Sequence, residues 1–405
     1  MASVRLALGS VVTVALAAGC GGRALMPDGG GSSGLGGLGN RGGGGTGATG
    51  GTDGASFTPT RDVDLLFMID NSSSVRLLQS NLLSNFPSFV NILQGGPGGL
   101  PNLHVAVITS DMGAGDGSIA GCNTTGGDAG RFQYAARGSC TATNLQPGAT
   151  FISNDNGVAN YTGQLSDVFS CIAEVGENGC SFEQPLAAIV RALGADGKPA
   201  PAENQGFLRP DAFLFIVVAT DEDDCSVPAG SGLFDTASGT TLASPLGPIG
   251  SYRCNEFGHL CNGVKPPRRA PSGSAADVVT LDGCVSAESA GLLTPVGTLA
   301  AQLRALKRFP DQQILFAAIT GPSAPYTVHW KAPTTADPGG PWPEISHSCT
   351  ALDQSVGDPA IRINQLAGSF GANGQVLSVC ETSYAPSLQT LAGMIVQQLP
   401  PPDMP

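Results

Sequence analysis

The chain has 405 residues, 41% of them hydrophobic, and a formal charge of −13 from 19 Lys and Arg against 32 Asp and Glu. That length and apolar content suffice for one large domain or two ordinary ones. The acidity, without clustered Lys and Arg, excludes a surface built for nucleic acid or for an anionic membrane.

Residues 1–20 read MASVRLALGSVVTVALAAGC, with Arg5 as a positive start and an apolar run from Leu6 to Ala18. The run is too short to span a bilayer and reads as an export signal. Its end, Leu16-Ala17-Ala18-Gly19-Cys20, resembles a bacterial lipoprotein signal, in which the cysteine becomes the lipidated first residue. Ordinary cleavage around Ala18, leaving Cys20 free, is the alternative. Gly21 follows where Asp would favour inner-membrane retention, so the expected address is the outer membrane, with lipid as the sole membrane contact. Residues 21–57 are dominated by Gly, Ser and Thr. They bury too little apolar surface to offset ordering entropy, and predict a flexible tether.

The folded part is expected over residues 58–400. Val63–Ile69 (VDLLFMI) is a continuous apolar run, the mark of a strand buried on both faces. Val75, Leu78, Leu82, Phe86, Phe89 and Leu93 then form a helical stripe, which Pro87 is expected to kink or end. Leu103–Thr109 is a second strand. Gln164–Ala173 and Gln184–Leu193 are helices, the latter with Pro185 in its first turn. Phe213–Ala219 is the most hydrophobic strand. Val296–Leu306 predicts a helix, Gln313–Thr320 a strand, and Pro386–Leu399 a closing helix. Short apolar strands alternating with helices predict an α/β fold: a doubly wound, mainly parallel sheet with helices on both faces. Two stretches rich in Gly, Pro and Cys, at about 113–163 and 225–292, are expected as long insertions.

Eleven cysteines are present. Beyond Cys20, the ten are Cys122, Cys140, Cys171, Cys180, Cys225, Cys254, Cys261, Cys284, Cys349 and Cys380. This even set predicts five disulfides in an oxidising compartment. Zinc is the weaker alternative, because no C-x-x-C pair exists and only four histidines are present. Proximity in sequence pairs Cys122–Cys140, Cys171–Cys180, Cys254–Cys261 and Cys349–Cys380, leaving Cys225–Cys284.

Candidate chemistry lies where strands end. The first ends in Asp70-Asn71-Ser72-Ser73-Ser74, whose alternating Asp70, Ser72 and Ser74 can face one centre. A carboxylate with two hydroxyls is a hard oxygen donor set, suited to Mg²⁺ or Mn²⁺. The strand at 213–219 ends in Thr220-Asp221-Glu222-Asp223-Asp224. Asp221 is expected beside the same ion and the rest of the run as solvated surface, as is the basic pair Arg268-Arg269. The histidines are expected in packing or surface roles.

Asp70-x-Ser72-x-Ser74 after a buried strand, with Asp221 closing a later one, resembles the metal-ion-dependent adhesion site of von Willebrand factor A domains. The resemblance implies a doubly wound scaffold and an Mg²⁺ (or Mn²⁺ or Ca²⁺) held by Asp70, Ser72, Ser74 and Asp221. It implies an open coordination position for an acidic residue of a protein partner. Where that family shows Gly-x-Thr, this chain has Gly179-Cys180-Ser181-Phe182-Glu183. Ser181 offers a hydroxyl in place of Thr, or Glu183 a carboxylate that makes the site more negative. With its Gly-rich tether and cysteine-rich insertions the chain also resembles a group of envelope proteins of myxobacteria. The expected function is an envelope-anchored, metal-dependent binding module and not an enzyme. The alternatives are a structural envelope protein with a purely stabilising metal and a metal-assisted hydrolase. No Ser/His/Asp or Cys/His set is legible for the latter.

Overall fold

Strands that are apolar over most of their length need cover on both faces, and here helices supply it. The computed structural model describes residues 56–402 except 116–118, 120, 123, 289 and 336–338. The signal-like segment, Cys20 and the tether up to Ala55 lie outside the described residues. The elements through the first half are β1 (Asp62–Ile69), α1 (Arg76–Gly95), β2 (Asn102–Thr109), β3 (Ile152–Asp155), β4 (Val158–Ala159), α2 (Leu165–Ala173), α3 (Pro185–Ala192) and β5 (Phe213–Ala219). There follow α4 (Tyr252–Gly258), β6 (His259–Cys261), β7 (Val278–Leu281), β8 (Cys284–Ser286), α5 (Val296–Arg304), α6 (Pro310–Gln313) and β9 (Ile314–Thr320). The last are β10 (Tyr326–Lys331), β11 (Trp342–Ser346), β12 (Cys349–Thr350), β13 (Val356–Gly357), α7 (Ile361–Gly368), β14 (Gly374–Ser378) and α8 (Ala385–Gln398).

Seven strands form the central sheet in the order β14-β9-β5-β1-β2-β3-β4. The five from β14 to β2 are parallel, and β3 and β4 add antiparallel at one edge. Alternation along β1 sorts its side chains. Val63, Leu65, Phe67 and Ile69 face α1, α2 and α8, while Leu66 and Met68 face α3, α5 and α7. The expected mainly parallel sheet with helices on both faces is thus present. The helical stripe of α1 is buried as its period predicts. Pro87, however, does not end the helix, which runs on to Gly95. The ring lies on the exposed face, so the carbonyl it leaves unbonded is open to water.

The chain winds outward from β1 through β2 in one direction and through β5, β9 and β14 in the other. The reversal falls between β1 and β5, which opens a crevice at their carboxyl ends. The first and last described residues lie at the opposite, amino pole. Phe57 packs edge-on to Phe213 at 5.4 Å, and Arg61 donates to the carbonyls of Pro97 (2.8 Å) and Pro400 (3.1 Å).

The insertions are folded. The first contributes β3 and β4 to the sheet edge. The second contributes α4, β6, β7 and β8, and β7 joins β10 and β11 in a separate three-stranded sheet. Two small apolar cores lie outside the main two. One holds Ile119, Phe182, Leu233, Phe234, Phe257 and Leu293 with four cysteines. The other gathers Tyr252, Tyr326, Val328, Trp330 and Ile361.

All ten described cysteines are paired, as Cys122–Cys180, Cys140–Cys171, Cys225–Cys254, Cys261–Cys284 and Cys349–Cys380. Only the last agrees with pairing by sequence proximity. Cys122–Cys140, Cys171–Cys180, Cys254–Cys261 and Cys225–Cys284 are not formed, because near neighbours in sequence sit on elements that face different ways. Cys254 on α4 turns into the small core toward Cys225, whereas Cys261 on β6 stands opposite Cys284 on β8. Five bridges place the protein in an oxidising compartment. Among the described residues no helix is long and apolar enough to cross a membrane.

Candidate functional site

The parallel register brings Ile69, Thr109 and Ala219 abreast, so the residues after them, Asp70, Ser110 and Thr220, meet at the carboxyl edge of β1, β2 and β5. Asp70 is wholly buried. Its Oδ1 accepts from the Ser72 N–H (2.8 Å) and Ser110 Oγ (3.1 Å), and its Oδ2 from Thr220 Oγ1 (2.5 Å). The carboxylate is therefore held rigid at the floor of the crevice. Above it, Ser72 Oγ and Ser74 Oγ lie 3.3 Å apart, the first buried and the second exposed. The turn over residues 72–75 that leads into α1 thus brings both hydroxyls to one side.

Asp221 enters from the end of β5 and is only 6% exposed. Its Oδ1 is buried without a hydrogen-bond partner, an arrangement that for a carboxylate oxygen is costly unless a cation or a proton meets it. The loop before α3 supplies Glu183, also buried. Ser181 from the same loop is exposed, its hydroxyl lying against Gly121, where an added Cβ would come within 2.2 Å of it. Of the two second-loop candidates, Glu183 is the one electrostatically coupled to Asp70 and Asp221.

Several carboxyl groups therefore share a site with little water. Burial first, then the Asp70 charge, pushes Asp221 up to about 7. Burial raises Asp70 in spite of its three donors. Burial and then Asp70 raise Glu183 well above the ordinary range, and burial and then Glu183 do the same to Glu222. Among the described residues none of these four forms an ion pair with Lys or Arg. The nearby guanidinium, Arg362, serves Asp224 and Glu288 instead.

The rest of the acidic run is not solvated surface. The Asp223 carboxylate caps α7, accepting the N–H groups of Ile361 (2.9 Å), Arg362 (2.9 Å) and Ile363 (3.1 Å). His259 Nε2 lies 2.8 Å from its Oδ2, and His259 Nδ1 2.9 Å from Tyr326 OH. Burial works against the Asp223 charge, but His259 and the helix N–H groups outweigh it and hold the carboxyl below its usual range. Asp224 accepts the Leu186 N–H at the start of α3 (3.0 Å) and pairs with buried Arg362 (3.0 Å). The run is inward because it joins the amino ends of two helices, where carboxylates are favoured. Arg268 is likewise not a free surface charge. It forks onto Glu256 at 2.8 and 2.7 Å and donates to the Ser244 carbonyl, while Arg269 is exposed.

Sequence reasoning missed Ser110, Thr220, Glu222 and Asp358, whose N–H bonds the Asp221 carbonyl at 2.7 Å. Ser110 and Thr220 carried a signal, each being the first residue after a buried strand. Glu222 and Asp358 carried none. Among the described residues no three or more His, Cys, Asp and Glu side chains form a metal-holding group. A cation here would rest on the mixed set Asp70, Ser72, Ser74 and Asp221, two carboxylates with two hydroxyls. That is a hard oxygen environment, and the unpartnered Asp221 Oδ1 fits it. Neither a family model nor a curated protein matches this chain, so the functional assignment stands on this geometry.

Proposed function

We propose that the protein is a metal-dependent binding module with an adhesion-type site resembling that of von Willebrand factor A domains, presented from the cell envelope through lipid on Cys20. The observation that carries the reading is the buried, unpartnered Asp221 Oδ1, close to Asp70 and Ser74 at the switch point of the sheet. Asp70, Ser72, Ser74 and Asp221 would hold Mg²⁺, Mn²⁺ or Ca²⁺. The bound ion would supply an electrophilic position for an acidic residue of a protein partner. Asp70 sets the floor through Ser72, Ser110 and Thr220, and exposed Ser74 marks the side open to solvent.

The test is calorimetric titration of oxidised residues 58–405 with Mg²⁺ and Mn²⁺, beside Asp70→Ala and the isosteric Asp221→Asn. Saturable one-site binding by the wild type should be lost or weakened at least about 100-fold in both variants, since each removes a charged oxygen ligand. Variants that fold and bind as the wild type does would refute the assignment. Buried Glu183 and half-buried Glu222 favour a second reading, in which the ion only stabilises the loops. Any charge that a bound cation draws onto these carboxyls would oppose the approach of another carboxylate. In that case Mn²⁺ raises the melting temperature, yet capture of a protein partner is the same in cation and in chelator.

A further inference from the structure

The loops at the candidate site are not held by the sheet alone. The second loop reaches the first through one contact, the Gly179 N–H donating to the Asn71 carbonyl at 2.7 Å. The third reaches the second through another, the Cys225 N–H donating to the Glu183 carbonyl at 2.8 Å. Next to each contact stands a disulfide. Cys180, one residue after Gly179, is bonded to Cys122 in the first insertion, and Cys225, one residue after Asp224, to Cys254 in the second. All four cysteines are buried in the same small core. Phe182, between Ser181 and Glu183, packs there on Phe234 of the second insertion, with ring centroids 4.4 Å apart. This core is separate from the two that cover the sheet and contains ten buried residues, four of them cysteine. So few apolar groups stabilise a core weakly, and covalent links carry more of its order.

Resting on the metal reading above, we infer that this core and its two bridges are the positioning device of the site: cation binding requires Cys122–Cys180 and Cys225–Cys254 to have formed. The insertions thereby set the spacing between Glu183 and the Asp70–Asp221 pair, and the reduced chain is incompetent to bind the ion. Cys261–Cys284 has no such role, because it joins two strands already paired to one another.

The experiment measures Mn²⁺ affinity of the oxidised protein by calorimetry at 15 °C for the wild type, Cys122→Ala/Cys180→Ala, Cys225→Ala/Cys254→Ala and the control Cys261→Ala/Cys284→Ala. Circular dichroism and melting temperature report the fold of each. Both site-flanking variants should keep the sheet domain and lose at least tenfold in affinity, whereas the control loses melting temperature and keeps its affinity. Where a bridge-less variant fails to fold, Phe234→Ala decides. It thins the same core with every bridge in place and should lower affinity about threefold. Wild-type affinity in the folded flanking variants, or in Phe234→Ala if those do not fold, overturns the inference and leaves the metal reading standing. Equal losses in the control overturn it also. No Mn²⁺ binding by the wild type overturns the metal reading itself, and this inference with it.

Discussion

Replacing Arg362 by Met removes a cation from one of the most buried positions in the chain. Arg362 is fully buried, and its Nε and Nη2 reach Asp224 Oδ2 at 3.2 and 3.0 Å. Its Nη1 pairs with Glu288, and Nη2 also donates to the Thr294 carbonyl at 2.7 Å. Methionine fills much of the same volume, so the loss is chiefly electrostatic. Asp224 is left buried with the Leu186 N–H, the Ser226 N–H and the Ser226 hydroxyl but no counter-charge. Breaking a buried pair from one side destabilises by about 3–5 kcal/mol, a large part of the roughly 5–15 kcal/mol that holds a domain folded. Burial already raises Asp224, with Arg362 as the main opposing influence, so in the variant this carboxyl should take up a proton nearer neutral pH. Urea unfolding of oxidised wild type and Arg362→Met should show a midpoint shift at constant slope. Adding Asp224→Asn should recover at least about 1 kcal/mol relative to the sum of the single changes, as expected of directly coupled groups. A loss under about 1 kcal/mol, or additive behaviour in the double variant, would refute the claim that this pair locks the third loop to α7.

Two further outcomes follow from the same structure. Lys307 is buried near Asp64 and donates to the Arg209 carbonyl, and burial lowers it to about 8, with Asp64 opposing. Between pH 8 and 10 the unfolded chain keeps a proton at this lysine that the folded chain has lost, so stability rises with pH there by about 2 kcal/mol. Above pH 10 the raised, buried tyrosines reverse the trend. Thermal melts across pH 8–10 should show the wild type gaining about 2 kcal/mol relative to Lys307→Met; parallel profiles in the two would refute it. Gly179→Ala builds a Cβ 2.2 Å from Asn71 Oδ1 and must push Asn71 or the second loop aside. It should destabilise by about 1–3 kcal/mol and weaken Mn²⁺ binding about tenfold by calorimetry; wild-type affinity would mean that the Asn71 turn does not set the site.

What the sequence made legible was whatever depends on neighbours along the chain. The runs at 63–69, 103–109 and 213–219 become buried strands because nearly every residue in them is apolar, Asp64, His104 and Thr109 being the exceptions, and the stripe of α1 is buried because its spacing is helical. Asp70, Ser72, Ser74 and Asp221 could be found because strand ends are marked in the sequence. By contrast β14 is a half-exposed edge strand with Gly, Gln and Ser among its five residues, and it carries no apolar run. Asp223 and Asp224 looked solvated because their partners His259 and Arg362 lie 36 and 138 residues away. All the expected bridges but Cys349–Cys380 were misread for the same reason. Cys140 meets α2 at Cys171, 31 residues further on across turns and a hairpin, and no local rule expresses that.

The placement of both described ends at the amino pole has a practical side. β1 begins at Asp62 beside those ends and finishes at the candidate site eight residues later, a rise of about 25 Å. A dye or affinity handle placed at exposed Thr58 or Pro401 therefore stands a full sheet length from the crevice. Binding measured on an immobilised chip should match binding in solution.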